Sequence, residues 1–259
     1  MTMNTFGAIL ILIMGFKIGS QFGYVSDDIE ECGTSSKMDK MLRLTVTSLH
    51  NTLRGLLANG TQKNGNDSRA RNFPSAGDMS LMEYNCQLEE SAFKISQMCQ
   101  NQTVPNFSFV GSNNATYFLS RATFDHNKWD YFRDDISDYF RIIRFMMEWW
   151  NTSLEYDPLV NLTPTANDSG MIPFLQMANA NTTKLGCAYN VCNSSDPYNS
   201  SAFVLFVCRY GDPHIHINKT IYTEGAPCSS CNNSCLSDTL CNKTSTEYDF
   251  NGCRVGRHA

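Results

Sequence analysis

The sequence predicts an α+β fold stapled by disulfides, and three observations carry that prediction. Apolar residues recur at three- and four-residue spacing in three segments before residue 152. Two apolar, aromatic runs of strand length follow, at 184–192 and 202–210. Six of the eleven cysteines then fall from residue 208 onward, in a tail too poor in apolar residues to pack a core, so disulfides must hold it.

The elements follow in order. Ser36 with Asp39 three residues later reads as a helix-start capping box. Met38, Leu42, Thr45, Leu49, Leu53 and Leu56 then share one helical face, and Asn59-Gly60 ends the helix. Residues 60–78, rich in Gly, Asn, Asp and Ser, read as a long exposed loop. A second helix carries Leu81, Leu88, Ala92, Ile95 and Cys99, and 100–117 is loop. The third helix places Ile136, Phe140, Ile143, Met147 and Trp150 at spacings of 4, 3, 4 and 3. Its surroundings are aromatic: Trp129, Phe132, Phe140, Trp149 and Trp150 form either a core-facing surface or a patch that grips a ligand. Residues 151–170 are a further loop. The two strand-like runs pair as a hairpin whose tip carries two glycosylation sequons.

Composition places the chain outside the cytosol. Charged residues make up 17%, with a net charge of −5, against about a quarter charged in ordinary soluble domains. Polarity comes instead from 25 Asn, 25 Ser and 20 Thr. A weakly acidic chain with no basic block excludes nucleic acid as a partner. The apolar run 6–16 has the length of a signal-peptide core and is too short to span a bilayer, so residues 1–20 are expected to be a signal peptide cleaved near Ser20. No second run approaches spanning length, and the expectation is a secreted, extracellular protein. Fourteen sequons agree: Asn59, Asn66, Asn101, Asn106, Asn114, Asn151, Asn161, Asn167, Asn181, Asn193, Asn199, Asn218, Asn232 and Asn242. Random placement would give about four.

Five blocks in order resemble one family. Ser48 to Arg54 (SLHNTLR) resembles the HNxxR helix of the CAP/SCP superfamily. Met82 to Glu89 followed by Cys99, Gln176 to Ala188, Phe206 to Gly211, and Tyr222 to Cys231 resemble its second helix, central signature, last strand and hinge entry. The match runs from about 36 to 241 and is similar to nematode venom-allergen-like and activation-associated secreted proteins. It implies a three-layer α-β-α sandwich. It also implies an N-terminal extension at 21–36, a CAP domain at 37–212, and a cysteine-rich hinge and tail at 213–259. It implies disulfides Cys187–Cys208 and Cys99–Cys192. Cys32 can pair with Cys86, Cys228, Cys231, Cys235 and Cys241 pair within the hinge, and Cys253 is left over.

The same resemblance implies a cavity of two His and two Glu that holds a divalent metal. This chain departs from it. Pro173 stands where one His belongs, Ser112 and Thr152 stand where the two Glu belong, and no His occurs between Cys99 and Gly111. Glu155 could substitute only after a local shift. The expectation is therefore no catalytic residue, no metal and no cofactor. A non-enzymatic, immunomodulatory effector that binds a host protein or cell-surface receptor is the leading reading, through loops at 60–78, 101–127 and 151–170. A sterol or fatty-acid carrier using the aromatic segment is the alternative, and a metal-dependent hydrolase comes last.

Other residues invite chemistry. His214-x-His216 would put two rings on one side of an extended segment and could hold a metal, although two solvated loop histidines is the ordinary reading. Cys228-x-x-Cys231 has no βαβ context for redox work and reads as structural. Asp134, Asp135 and Asp138 suit a helix N-terminus more simply than calcium. His50 and Arg54 lie one turn apart and read as structural.

Overall fold

The computed structural model describes residues 32–33, 36–67, 71–99, 115–118, 136–193, 202–231 and 234–242. All of them fall in one compact unit, Glu30–Lys243. The first helix, α1, spans Lys40–Ala58. Its N-cap is Asp39, whose carboxylate accepts from Leu42 N–H at 2.7 Å. Ser36 does not cap it; its hydroxyl donates to Glu89 on the next helix. The buried face runs through Leu42, Val46, His50, Leu53 and Leu57. That overlaps the predicted face only in part, and Leu56 is exposed. Polar His50 and Arg54 lie inside, which apolar periodicity could not anticipate. Asn59 closes the helix, and Gly60 takes the left-handed φ of 69° that a C-terminal stop favours.

Strand β1 is Glu83–Tyr84, and α2 spans Cys86–Gln97 behind the N-cap Asn85. Leu81 therefore precedes the second helix instead of lying on it. Strand β2 is Ala115–Phe118, within a region the sequence reads as loop. Helix α3 is Ile136–Asn151. Its buried residues are Ile142, Phe145, Met146, Trp149 and Trp150, again only in part the predicted face. Helix α4, Ile172–Ala178, is wholly buried. Strands β3 (Lys184–Asn193) and β4 (Ala202–Tyr210) pair antiparallel along their whole length, and their connecting tip lies outside the described residues. The sheet order is β1-β3-β4-β2, with β1 parallel to β3.

Among the described residues, β3 and β4 are buried on both faces, and alternation along them sorts side chains between the faces. Leu185, Cys187, Phe206, Cys208 and Tyr210 face the large core shared with α1, α3 and α4. Ala188, Cys192, Leu205 and Val207 face a smaller cluster with Ala92, Phe93 and Ile95 of α2. The result is the three-layer α-β-α sandwich. Gly186 permits the close approach of α2. A Cβ there would lie 2.2 Å from Glu89 N and 2.5 Å from Asn85 O.

The tail departs from expectation only in how it packs. It is stapled by Cys228–Cys235 and Cys231–Cys241, with a small hairpin of β5 (Cys235–Leu236) and β6 (Leu240–Cys241). Yet Ile215, Ile221, Tyr222 and Leu240 join the main core, so few apolar residues suffice when they dock on a core built by others.

Candidate functional site

Two of the positions where the resemblance expects metal ligands meet at the junction of α3 and α4. Thr152, the residue after α3, is 5% exposed. Its hydroxyl donates to Trp149 O at 2.8 Å and accepts from Phe174 N–H at 3.3 Å. Phe174 lies in the first turn of α4, where backbone N–H groups lack helical partners. Thr152 therefore caps α4. Pro173, at the start of that helix, removes another orphan donor by having no N–H. Where a carboxylate and an imidazole would hold a metal, this chain has two helix-start devices. Glu155 is solvent-exposed, and Ser112 lies outside the described residues. Among the described residues no three His, Cys, Asp or Glu side chains gather. Thr152 and Pro173 supply no imidazole or carboxylate for a divalent metal.

The buried polar groups serve the scaffold. The His50 Nδ1–H donates to Val46 O at 2.8 Å, because a carbonyl only accepts. Nε2 then accepts the Tyr210 hydroxyl at 3.0 Å. Burial pulls the His50 pKa down to about 4, so the ring is neutral and both nitrogens are committed. Arg54 is fully buried and donates to five carbonyls, those of Ser80, Met177, Asn179, Ala180 and Thr182. Burial lowers its pKa to about 9, which leaves it charged at pH 7. Arg43 on α1 makes a bidentate pair with Glu89 on α2, at 2.7 and 2.9 Å, and Tyr84 donates to the same carboxylate at 2.6 Å.

The aromatic candidates divide. Trp149 stacks on Phe206 at 5.3 Å, and Trp150 meets Phe174 edge-on at 4.9 Å. The Trp150 Nε1–H donates to Gln62 Oε1 at 2.7 Å. Both rings are enclosed by protein, so they act as core and not as an open ligand surface. Trp129 and Phe132 lie outside the described residues, as does the side chain of Phe140. So do Asp134, Asp135 and the side chain of Asp138.

The two long loops are not separate. The Asn64 side-chain amide donates to Leu159 O at 2.9 Å, and its Oδ1 accepts from Leu159 N–H at 2.7 Å. Gly65 N–H donates to Ser153 O, and Asn66 N–H to Tyr156 O. Phe73 and Ala76 are buried, so the described parts of 60–78 (60–67 and 71–78) are pinned to the fold and not a free loop. Tyr156 (42% exposed) and Val160 (71%) stand out of this joint surface. Of the described sequons, Asn59, Asn66, Asn161, Asn167, Asn181 and Asn218 are exposed, and Asn151 and Asn242 are half-buried. The side chains of Asn101, Asn106, Asn114, Asn193, Asn199 and Asn232 lie outside the described set.

Three further disulfides complete the frame: Cys32–Cys86, Cys99–Cys192 and Cys187–Cys208. The two cysteines of the CxxC take different partners, which leaves no redox pair within that motif. Cys253 lies outside the described residues. His214 corrects the expectation of two solvated histidines: it is 7% exposed, and His216 is exposed.

A disulfide-stapled α-β-α sandwich with a docked, cysteine-rich tail defines the class. The model of the cysteine-rich secretory protein family matches residues 47–210, and the chain belongs to that family. It is 31% identical over 212 residues to the Ancylostoma secreted protein of Ancylostoma caninum, covering 80% of this chain and 45% of that one. It is 26% identical to hookworm platelet inhibitor 1 of the same organism, covering 88% of this chain and 89% of that one. The crystal structure of Na-ASP-1 is similar at a TM-score of 0.63 and 28% identity, over 82% of this chain and 50% of that one. The chain thus spans about half the length of some relatives it matches. Among the described residues no helix is long and apolar enough to cross a membrane.

Proposed function

We propose that this chain is a secreted, N-glycosylated, non-enzymatic binding protein that acts on a host molecule. The observation that carries the reading is the Thr152–Phe174 contact beside Pro173. Positions expected to hold a metal have been turned to capping a helix, while the scaffold around them is kept. The joined surface of 60–67 and 153–160 supplies a rigid platform for recognition. Relatives named as a secreted protein and a platelet inhibitor support a host-directed role. The sterol or fatty-acid reading gains nothing from Trp149 and Trp150, whose faces are already covered.

The test is capture by the immobilised full chain from host serum, platelet and leukocyte membrane fractions. A saturable partner whose binding weakens in Tyr156→Ala and Val160→Glu supports the proposal. Absence of any saturable partner, or a partner indifferent to both substitutions, overturns it.

A further inference from the structure

Of the five disulfides among the described residues, four keep at least one cysteine away from water. Cys32 is 8% exposed, Cys192 and Cys241 are each 1% exposed, and Cys187 and Cys208 are fully buried. The Cys228–Cys235 bond is the exception: Cys228 is half-buried and Cys235 is exposed. It also closes the shortest stretch, a separation of 7 residues against 10 to 93 for the others. Loop-closure entropy grows with loop length, so this bond constrains the unfolded chain least. Cys228 moreover holds a left-handed φ of 63°, which is unfavourable for a residue with a Cβ and which opening the bond lets relax.

The surrounding backbone does not need this bond. Ser230 N–H donates to Gly77 O at 2.9 Å, and Gly225 N–H to Ser75 O at 3.0 Å. On the far side, Asn242 N–H donates to Ser234 O at 3.0 Å, Cys241 N–H to Met79 O at 2.7 Å, and Leu81 N–H to Cys241 O at 2.8 Å. The neighbouring Cys231–Cys241 bond ends in buried Cys241, where a leaving thiolate would be left without water. Opening the exposed bond therefore leaves the tail docked and its second staple closed.

We propose that Cys228–Cys235 is a thiol-exchange site, opened and re-formed in the folded protein by a low-molecular-weight thiol of the glutathione class. The thiolate attacks Sγ of Cys235, the more exposed partner, and the Cys228–Cys235 bond breaks. Cys228 leaves with the bonding electron pair and takes a proton from water, while Cys235 carries the small thiol as a mixed disulfide. A second thiolate attacks the small-thiol sulfur of that mixed disulfide. It releases Cys235, which is protonated in turn, and the oxidised thiol dimer. Two electrons thus pass from two small thiols to one protein disulfide, and the reverse sequence, with the dimer as oxidant, restores it. The site does not depend on the host-binding reading, whose platform is built from other residues.

The test is native-state alkylation of the full chain. Iodoacetamide first blocks any thiol already free. Reduced glutathione is then added at neutral pH, and newly freed thiols are trapped with N-ethylmaleimide and mapped by peptide mass spectrometry. Cys228 should be trapped, with glutathione on Cys235, at least about tenfold faster than any other disulfide opens. The melting temperature should fall by only a few degrees. Equal or earlier opening of Cys231–Cys241 or of a sandwich disulfide overturns the proposal. So does the absence of labelling until the chain unfolds. Cys228→Ser/Cys235→Ser should fold with its other four disulfides closed and lose the fast phase. A fast phase that survives in it overturns the proposal, and if that variant misfolds the labelling order in the unaltered chain decides.

Discussion

The Tyr210 hydroxyl donates to Nε2 of His50 across 3.0 Å, tying the last residue of β4 to the middle of α1. Because Nδ1 is spent on Val46 O, the imidazole can keep this bond only while Nε2 is unprotonated.

Acid stability should report this directly. Burial lowers the His50 pKa from 6.5 to about 4, so the folded state favours the neutral ring. The contribution is fully present above pH 6.5 and is lost as the pH falls toward 4, by about 3 kcal/mol in all. Urea midpoints measured from pH 7.5 to 4 should fall accordingly. In His50→Phe the baseline is lower, because Tyr210 loses its acceptor, but this part of the acid slope is absent.

Glu89 joins two layers through Arg43 and Tyr84. Glu89→Gln should cost about 3–5 kcal/mol by leaving a buried guanidinium unpaired. Tyr84→Phe should cost about 1 kcal/mol. The double variant Arg43→Met/Glu89→Leu should recover much of the loss, and chemical denaturation of the wild type, Arg43→Met, Glu89→Leu and the double gives the coupling. Additive losses would show that the pair does not act as a unit.

Arg54→Lys should destabilise by about 3 kcal/mol or more. An ammonium has three donors, whereas the guanidinium reaches five carbonyls of a wall built from 80 and 177–182. Thermal unfolding checks it. A shift within experimental error would mean that the wall does not depend on this side chain.

Gly186→Ala should also be costly, because its Cβ meets backbone atoms of α2 that cannot move alone. Gly33→Ala, with nothing within 4 Å, is the matched control and should be near neutral. Comparing soluble yield and melting temperature for the two separates packing from the general effect of removing a glycine.

Zinc should not matter to the α3–α4 junction. Thr152 and Pro173 supply neither imidazole nor carboxylate. Melting temperatures with excess zinc and with chelator should coincide. Stoichiometric zinc in the purified protein that survives loss of His214 and His216 would refute this.

Legibility was uneven, for physical reasons. The strand limits at 184 and 202–210 were readable because both faces of those strands are buried, which writes a continuous apolar run. Helices α1 and α3 were readable as helices, but their inward faces only in part: Met38, Leu42, Leu53 and Trp150 are buried as expected, whereas Leu56 is exposed and Val46, Leu57, Phe145 and Trp149 take the inner positions. His50, Arg43 and Arg54 sit inside α1, and apolar counting has no term for a buried, fully bonded polar residue. Helix α4 left no clear trace, since a short helix buried all round has no amphipathic period. That positions 112, 152 and 173 hold Ser, Thr and Pro was legible, because it depends only on residue type.

By itself, the sequence determined what is local or chemical in this protein: its helical and strand periods, its sequons, its cysteine excess and the absence of expected ligand side chains. Tertiary structure alone decided which distant residues meet. Nothing local pairs Arg43 with Glu89, joins Asn64 to Leu159, lets Thr152 cap α4, or encloses His214 while His216 stays exposed. Periodicity arises from the backbone geometry of a single segment, whereas these contacts arise from how layers pack, and packing is a property of the whole chain.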